Sequence, residues 1–355
     1  MLSVNVPRDD TSEGHPSTSG FMLPKPNFAH LRDMTEEQGL WEHASRSTPR
    51  PEHGFCNDDN ARALVITAHE RTEDLTLLAG IYLRYVLESR RPDGTFRNRR
   101  DSAGSWVDDT GSDDSQGRAW WGLGAIAARA PEQWMQESAL EAFQSCAVFE
   151  SPHLRASAYA ALGAAEVLGK RGGFQPAVEL LDRTTASIIV ATRSAIPWPE
   201  TRLTYDNARI PEALLAAGLA LGDERRTAVG MRLLEWLAGT ETKGSQFSFT
   251  PVAGRSPGDH GPAFDQQPIE AWAMADACHR AFVATGDSRW HELVIRAVRW
   301  LFGANDADAV MYDEASGGTY DGLIANGVNL NRGAESTLAG LGILQVAASL
   351  RSNSS

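Results

Sequence analysis

"DDNARALVITAHE" (Asp58–Glu70) places two acids and an amide in front of a run of small and apolar residues with helical periodicity. A single Asn or Asp there is an ordinary cap, since its side-chain oxygen accepts a free backbone N–H of the first turn. Three polar residues in a row exceed what capping needs, so this start reads either as a cap with solvated neighbours or as part of a site. Its core recurs: "DNARIPEALLAAGLALG" begins at Asp206 and repeats the four residues of Asp59–Arg62.

Four more segments share the form, with polar residues followed by an Ala-rich helix. They start at Asp114 ("DSQGRAWWGLGAIAARA"), Ser151 ("SPHLRASAYAALGAAEVLG"), Asp265 ("DQQPIEAWAMADACHRAFVATG") and Asn331 ("NRGAESTLAGLGILQVAASL"). Bulkier amphipathic helices alternate with them, starting near Leu75, Pro131, Pro176, Arg225 and Ser288, with a sixth expected from Asn27. Small residues let helices pack closely, while amphipathic ones bury one face only. Six of each predict two concentric rings, an all-α (α/α)6 toroid spanning 27–350 behind a polar tail at 1–26. A straight helical-repeat solenoid is the rival arrangement.

In such a toroid the inner helices all run the same way, and their polar starts converge on one cleft. The expected lining is rich in carboxylates, amides and aromatics, the mixture that holds a sugar by its hydroxyls and its apolar ring faces. Cleaving a glycosidic bond needs two carboxyls, one to protonate the leaving oxygen and one to activate water or attack. Asp59, Asp206, Asp265 and Glu335 are the expected catalytic acids. The other expected sugar contacts are Asp58, Asn60, Arg62, His153, Asn207 and Gln267, with Glu270, Asp321, Asn331 and Arg332. Trp120, Trp198, Tyr205 and Tyr320 supply aromatic platforms. Glu212, Glu270 and Glu335 sit a turn inside their helices, where they either face the pocket or pair with Arg62, Arg118, Arg155, Arg209 or Arg332.

The bulk properties exclude other classes. A formal charge of −13 with no basic run argues against a nucleic-acid partner. No stretch of about 18 apolar residues offers a membrane span. The first 26 residues lack the apolar core of a signal peptide, and the three cysteines follow no metal-ligand spacing. A cytoplasmic protein is expected, with no cofactor or metal. An acidic loop such as Asp108–Asp114 offers oxygen ligands for Ca²⁺ but reads better as solvated surface.

"HGFCNDDNARAL" (His53–Leu64) and "GGTYDGLIANGVNLNRGAESTLA" (Gly317–Ala339) resemble the HGYCxDDNARAL and GGxYDGLxxxGVNxNxGAEST motifs of a bacterial family labelled glycosyltransferase-associated. Phe55 stands where that family has Tyr. The resemblance runs over nearly the whole chain behind the tail and implies an (α/α)6 carbohydrate-active protein. It marks Asp58, Asp59, Asn60, Arg62, Asp265, Gln267, Glu270, Tyr320, Asp321, Asn329, Asn331 and Glu335 as motif positions. It also allows a glycosyltransferase as a partner.

The leading expectation is therefore a glycoside hydrolase acting on an oligosaccharide or glycoconjugate. A non-catalytic glycan-binding partner of a glycosyltransferase is the second. A sugar epimerase is the third, which would draw on His53, His153 and His260 as proton carriers.

Overall fold

The computed structural model describes residues 24–192, 197–256, 258–259 and 261–352. Most of the expected tail, and His260, lie outside the described residues.

Twelve helices are found among the described residues. The inner set is α2 (Asn57–Thr67), α4 (Asp113–Arg129), α6 (Leu154–Lys170), α8 (Arg209–Leu221), α10 (Pro268–Thr285) and α12 (Ala334–Ser352). The outer set is α1 (Ala29–Asp33), α3 (Glu73–Ser89), α5 (Gln133–Phe143), α7 (Gln175–Ala191), α9 (Glu224–Thr240) and α11 (Arg289–Leu301). Each inner helix packs on the next, and α12 packs back on α2, so the ring closes. This is the (α/α)6 toroid, and closure rules out the straight solenoid.

The Ala and Gly content of the inner helices has its expected cause. A Cβ at Gly124 of α4 would stand 2.2 Å from the carbonyl oxygen of Gly163 on α6, so these two backbones touch. Outer helices bury one face, as in α11, whose Trp290, Val294, Ala297 and Leu301 turn inward. Among the described residues no helix is long and apolar enough to cross a membrane.

The expected long helix from Asn27 is a correction. Only Ala29–Asp33 is helical, and short antiparallel pairs follow it: Thr35–Glu36 with Gly39–Leu40, and Ala44–Ser45 with Thr48–Pro49. Gly39 sets this turn, with φ of +145° and Asn60 pressed against it. The segment crosses the N-terminal mouth of the ring, tied to α12 through Ala334 N–H donating to the Glu42 carbonyl at 3.1 Å.

Candidate active site

The N-termini of the inner helices open on a cavity of about 500 Å³. α2 supplies Asp58, Asp59 and Arg62, and α12 supplies Glu335 and Ser336. The approach to α10 brings Asp265 and Gln267, and that to α8 brings Tyr205. Asp321, Asn329 and Gly333 enter from the hairpin Gly322–Ile324/Gly327–Asn329 and its flanks.

The acids of α2 are not spent on capping. The helix begins after Cys56 with no side-chain cap, and both acids lie in its first turn, where the positive end of the helix dipole favours them. Their environments differ. Burial works against ionising Asp58, but Arg118 and Arg62 outweigh it and hold its carboxyl below the usual range. Arg118 Nη1 donates to Asp58 at 2.9 Å. Asp59 is 3% exposed, and burial drives its pKa up to about 7 against the pull of Arg62, with Glu335 and Glu42 adding to the rise.

One guanidinium joins two of the acids. Arg62 donates from Nη1 to Asp59 at 2.6 Å and from Nη2 to Glu335 at 2.5 Å. Since one planar fork makes both contacts, the two oxygens lie within about 7 Å of each other. Cys56 also donates its thiol to Asp59 at 3.1 Å, and burial pushes that thiol well up, so it stays protonated. Asp321 accepts from Gly333 N–H at 2.6 Å, and burial raises its pKa. Asp265 is exposed to the cavity and has no side-chain partner among the described residues.

Eight of the expected residues thus meet: Asp58, Asp59, Arg62, Tyr205, Asp265, Gln267, Asp321 and Glu335. Others form the layer beneath. Asp206 is buried, accepts from Tyr159 Oη at 2.6 Å and faces Arg209 and Arg118. Glu270 is buried under it, where it accepts the backbone N–H groups of Asp206 and Asn207. Asn207 accepts from Arg155 at 2.8 Å. Asn60 turns to the back of α2, accepting from Leu40 N–H and donating to the Cys56 carbonyl.

The remainder lie elsewhere. Trp120 is 1% exposed and packs edge-on against Phe96 and Phe143, because its helix turns that face to the outer ring. Trp198 stacks on Trp236 of α9 and borders a different cavity. His153 is exposed at the start of α6. Arg332 stacks over Tyr320 and pairs with Asp313 at 3.1 Å, while Asn331 accepts from Arg46 N–H. None of these six lines the 500 Å³ cavity.

Glu42 and His43 line it but were not expected there. They come from the N-terminal segment misread as helix, where Arg99 grips Glu42 through two contacts of 2.6 and 2.8 Å. Of the other unexpected lining residues, Arg118 had been placed only as an ion-pair partner. Among the described residues no group of three or more His, Cys, Asp or Glu is arranged to hold a metal ion.

No protein-family model and no curated protein matches this chain. Solved structures do match its fold. A cellobiose 2-epimerase from Bacillus thermoamylovorans B4167 superposes with a TM-score of 0.68 at 11% identity, covering 91% of this chain and 96% of that one. A cellulase from C. cellulolyticum in complex with cellobiose gives 0.63 at 10%, covering 88% of each chain. An inactive variant of an α-1,6-mannanase from Salegentibacter sp. HEL1_6, altered at two consecutive aspartates and bound to α-1,6-mannotetrose, gives 0.62 at 10%, covering 91% and 96%. At such identities the likeness establishes the (α/α)6 fold.

Proposed function

We propose that this protein is a carbohydrate-active enzyme that hydrolyses a glycosidic bond in the cleft at the inner-helix N-termini. One observation carries the reading: a buried carboxyl with a pKa of about 7, Asp59, shares the cleft with Asp58, whose carboxyl Arg118 and Arg62 hold below the usual range. Two acids whose surroundings push their protonation apart are what acid–base cleavage of an acetal requires.

Asp59 is the general acid, protonating the leaving oxygen. Asp265, open to the cleft and without a partner, is the carboxylate that activates water or attacks the anomeric carbon. Asp58 stays ionised beside Arg118 and steadies the positive charge that develops on the ring. Arg62 holds Asp59 and Glu335 in place, while Gln267 and Asn329 orient hydroxyls. Tyr205 is 39% exposed and offers a ring for a sugar to rest on. The inactive mannanase variant, altered at two consecutive aspartates, lends chemical support to an adjacent pair such as Asp58–Asp59. A glycosyltransferase partner remains part of this proposal on the strength of the sequence resemblance, and a cytoplasmic location on that of the cysteine pattern.

A second reading has its own observation. His43 lines the cleft with His53 edge-on at 4.8 Å between ring centroids, and an imidazole so placed can move a proton at a sugar carbon. This favours an epimerase or isomerase, the chemistry named for several structural neighbours.

One experiment separates these readings. The protein is incubated in D2O with a panel of bacterial oligosaccharides, and products are followed by chromatography and NMR. Hydrolysis yields new reducing ends and is lost in Asp59→Asn and Asp265→Asn variants that remain folded. Solvent deuterium entering at a ring carbon without chain cleavage, and lost in His43→Gln, supports the epimerase instead. Binding without turnover in every case refutes both and leaves a glycan-binding module.

A further inference from the structure

The opposite end of the ring carries a second cavity, of about 350 Å³, which the reading of the cleft does not use. It is lined where the inner helices finish: Arg129 closes α4, Glu166 lies near the end of α6, and Leu219 and Val283 lie in the last turns of α8 and α10. Its size falls within the range of small-molecule sites.

The charges here cancel. Glu166 accepts from Arg129 Nε at 2.6 Å, and Arg280 stands 3.7 Å away. Glu212 and Asp276 each accept from Arg209 at 2.6 Å, and Arg280 also reaches Glu212 at 3.3 Å. With every lining carboxylate matched by a guanidinium, neither an anion nor a cation is favoured as ligand.

Hydrogen-bonding capacity is nevertheless left over. Asp276 uses only one carboxylate oxygen in its pairing, and Arg280 pairs through Nε and Nη2, leaving Nη1 without a hydrogen bond among the described residues. Trp272 is 2% exposed and Trp121 4% exposed, and both line the cavity. Neither indole N–H donates to any atom of the described residues. The pyrrole edge of Trp272 stands over Gly342, where a Cβ would lie 2.3 Å from Nε1, and Gly342 itself lines the cavity. An unpaired N–H at the edge of such a space takes an acceptor, from water or from a ligand. Between these polar groups lie apolar patches, including Val65, Leu219, Val283 and Val346.

We propose that this cavity is a second binding site, on the face opposite the cleft, for one neutral, hydroxyl-rich molecule of hexose size. Its hydroxyls donate to Asp276 and accept from Arg280 and the Trp272 N–H, while its C–H faces rest on the indoles and the aliphatic patches. The volume suits one ring rather than a chain, so this is a site for a monosaccharide or its reduced polyol.

The test is calorimetric titration, with saturation-transfer NMR, of D-glucose, D-mannose, D-galactose and sorbitol against the full chain. At least one of them is expected to bind with a dissociation constant on the order of millimolar, as suits a small neutral ligand. Leu219→Trp and Val283→Trp place bulk at two half-exposed positions of the mouth, and thermal melts check that each variant folds. Both should weaken binding by about tenfold or more, a free-energy loss of about 1.4 kcal/mol. The cleft variant Asp265→Asn should leave it unchanged. D-glucuronate and D-glucosamine should bind more weakly than the neutral probes. Absence of binding by any neutral probe overturns the proposal and leaves the cavity to water. Loss of binding in Asp265→Asn with full affinity in both Trp variants also overturns it, by assigning the sugar to the cleft. Preference for either charged sugar refutes the neutral class.

Discussion

Replacing Asp59 by Asn should cut turnover sharply and stabilise the fold in a pH-dependent way. The Asp59 carboxyl titrates near 7 in the folded chain against an ordinary value of 3.8, because burial penalises its charge more than Arg62 rewards it. A difference of about 3 units corresponds to about 4 kcal/mol between the two protonation states. The sign follows from proton uptake: between these two values the folded chain holds the proton while the unfolded chain has released it. Raising the pH through that window therefore costs the wild-type fold stability. The contribution is fully present below about pH 4 and gone above about pH 7. Asn has no proton to lose. Relative to wild type, the variant should gain little near pH 4 and up to about 4 kcal/mol by pH 7, then level off. Urea unfolding followed by tryptophan fluorescence, at several values between about pH 4.5 and pH 8, measures the gap between the two proteins. A gap that does not widen with pH would falsify the raised pKa and, with it, the role of Asp59 as acid. Turnover by Asp59→Asn should fall about 10²–10⁴-fold, the usual share of a general acid.

Two further predictions concern the frame that holds the site. Arg209 is wholly buried, pairs with Glu212 and Asp276 at 2.6 Å each and lies 4.6 Å from the rings of both Trp121 and Trp272. Arg209→Met strands those acids and should cost about 3–5 kcal/mol in guanidinium unfolding at neutral pH. The cost should shrink in mild acid, because burial already raises the pKa of Glu212 and Asp276 and their protonation removes the stranded charge. A loss under about 1 kcal/mol would show that the pairs carry no weight. Glycine position should also decide the sign of a simple substitution. Gly124→Ala drives a methyl into the backbone of α6 and should destabilise by about 1–3 kcal/mol, whereas Gly239→Ala on α9 meets nothing within 4 Å and should stabilise by about 0.5–1 kcal/mol. Equal effects in thermal melts would rule out the close approach of α4 to α6.

The alternation of Ala-rich and amphipathic helices was legible because it is local. A helix that must approach another backbone has to shed its side chains, as Gly124 and Gly163 do, and one that faces water on one side carries a stripe, as α11 does. The convergence of the polar starts followed from that alternation: Asp58, Asp59, Asp265 and Glu335 line one cavity, while Asp206 lies buried outside its lining. The entry segment was less legible. Residues 35–49 carry one glycine, Gly39, among several good helix formers, and their short pairings depend on contacts with α2 and α12 rather than on any repeat of their own. Glu42 and His43 were missed for that reason.

Within each polar start, only the tertiary structure decided which residue faces the cleft. Successive residues on a helix point about 100° apart. Asp58 and Asp59 reach the cavity while Asn60 turns away to hold Leu40 and Cys56. The two DNAR repeats part because they stand in different registers: Asp59 and Arg62 both lie inside α2 and line the cleft, whereas Asp206 precedes α8 with a φ of +47° and forms a buried pair with Arg209. The sequence by itself determined the ring, its two layers and the end at which polar groups gather, since these depend on periodicity and side-chain size. The protonation of Asp59 depends on burial and on Glu335, the pinning of Asp58 on Arg118 and the charge balance at the far mouth on Arg209 meeting Asp276, and these partners lie far apart in the chain. Burial and distance set those properties, and both exist only once the ring has closed.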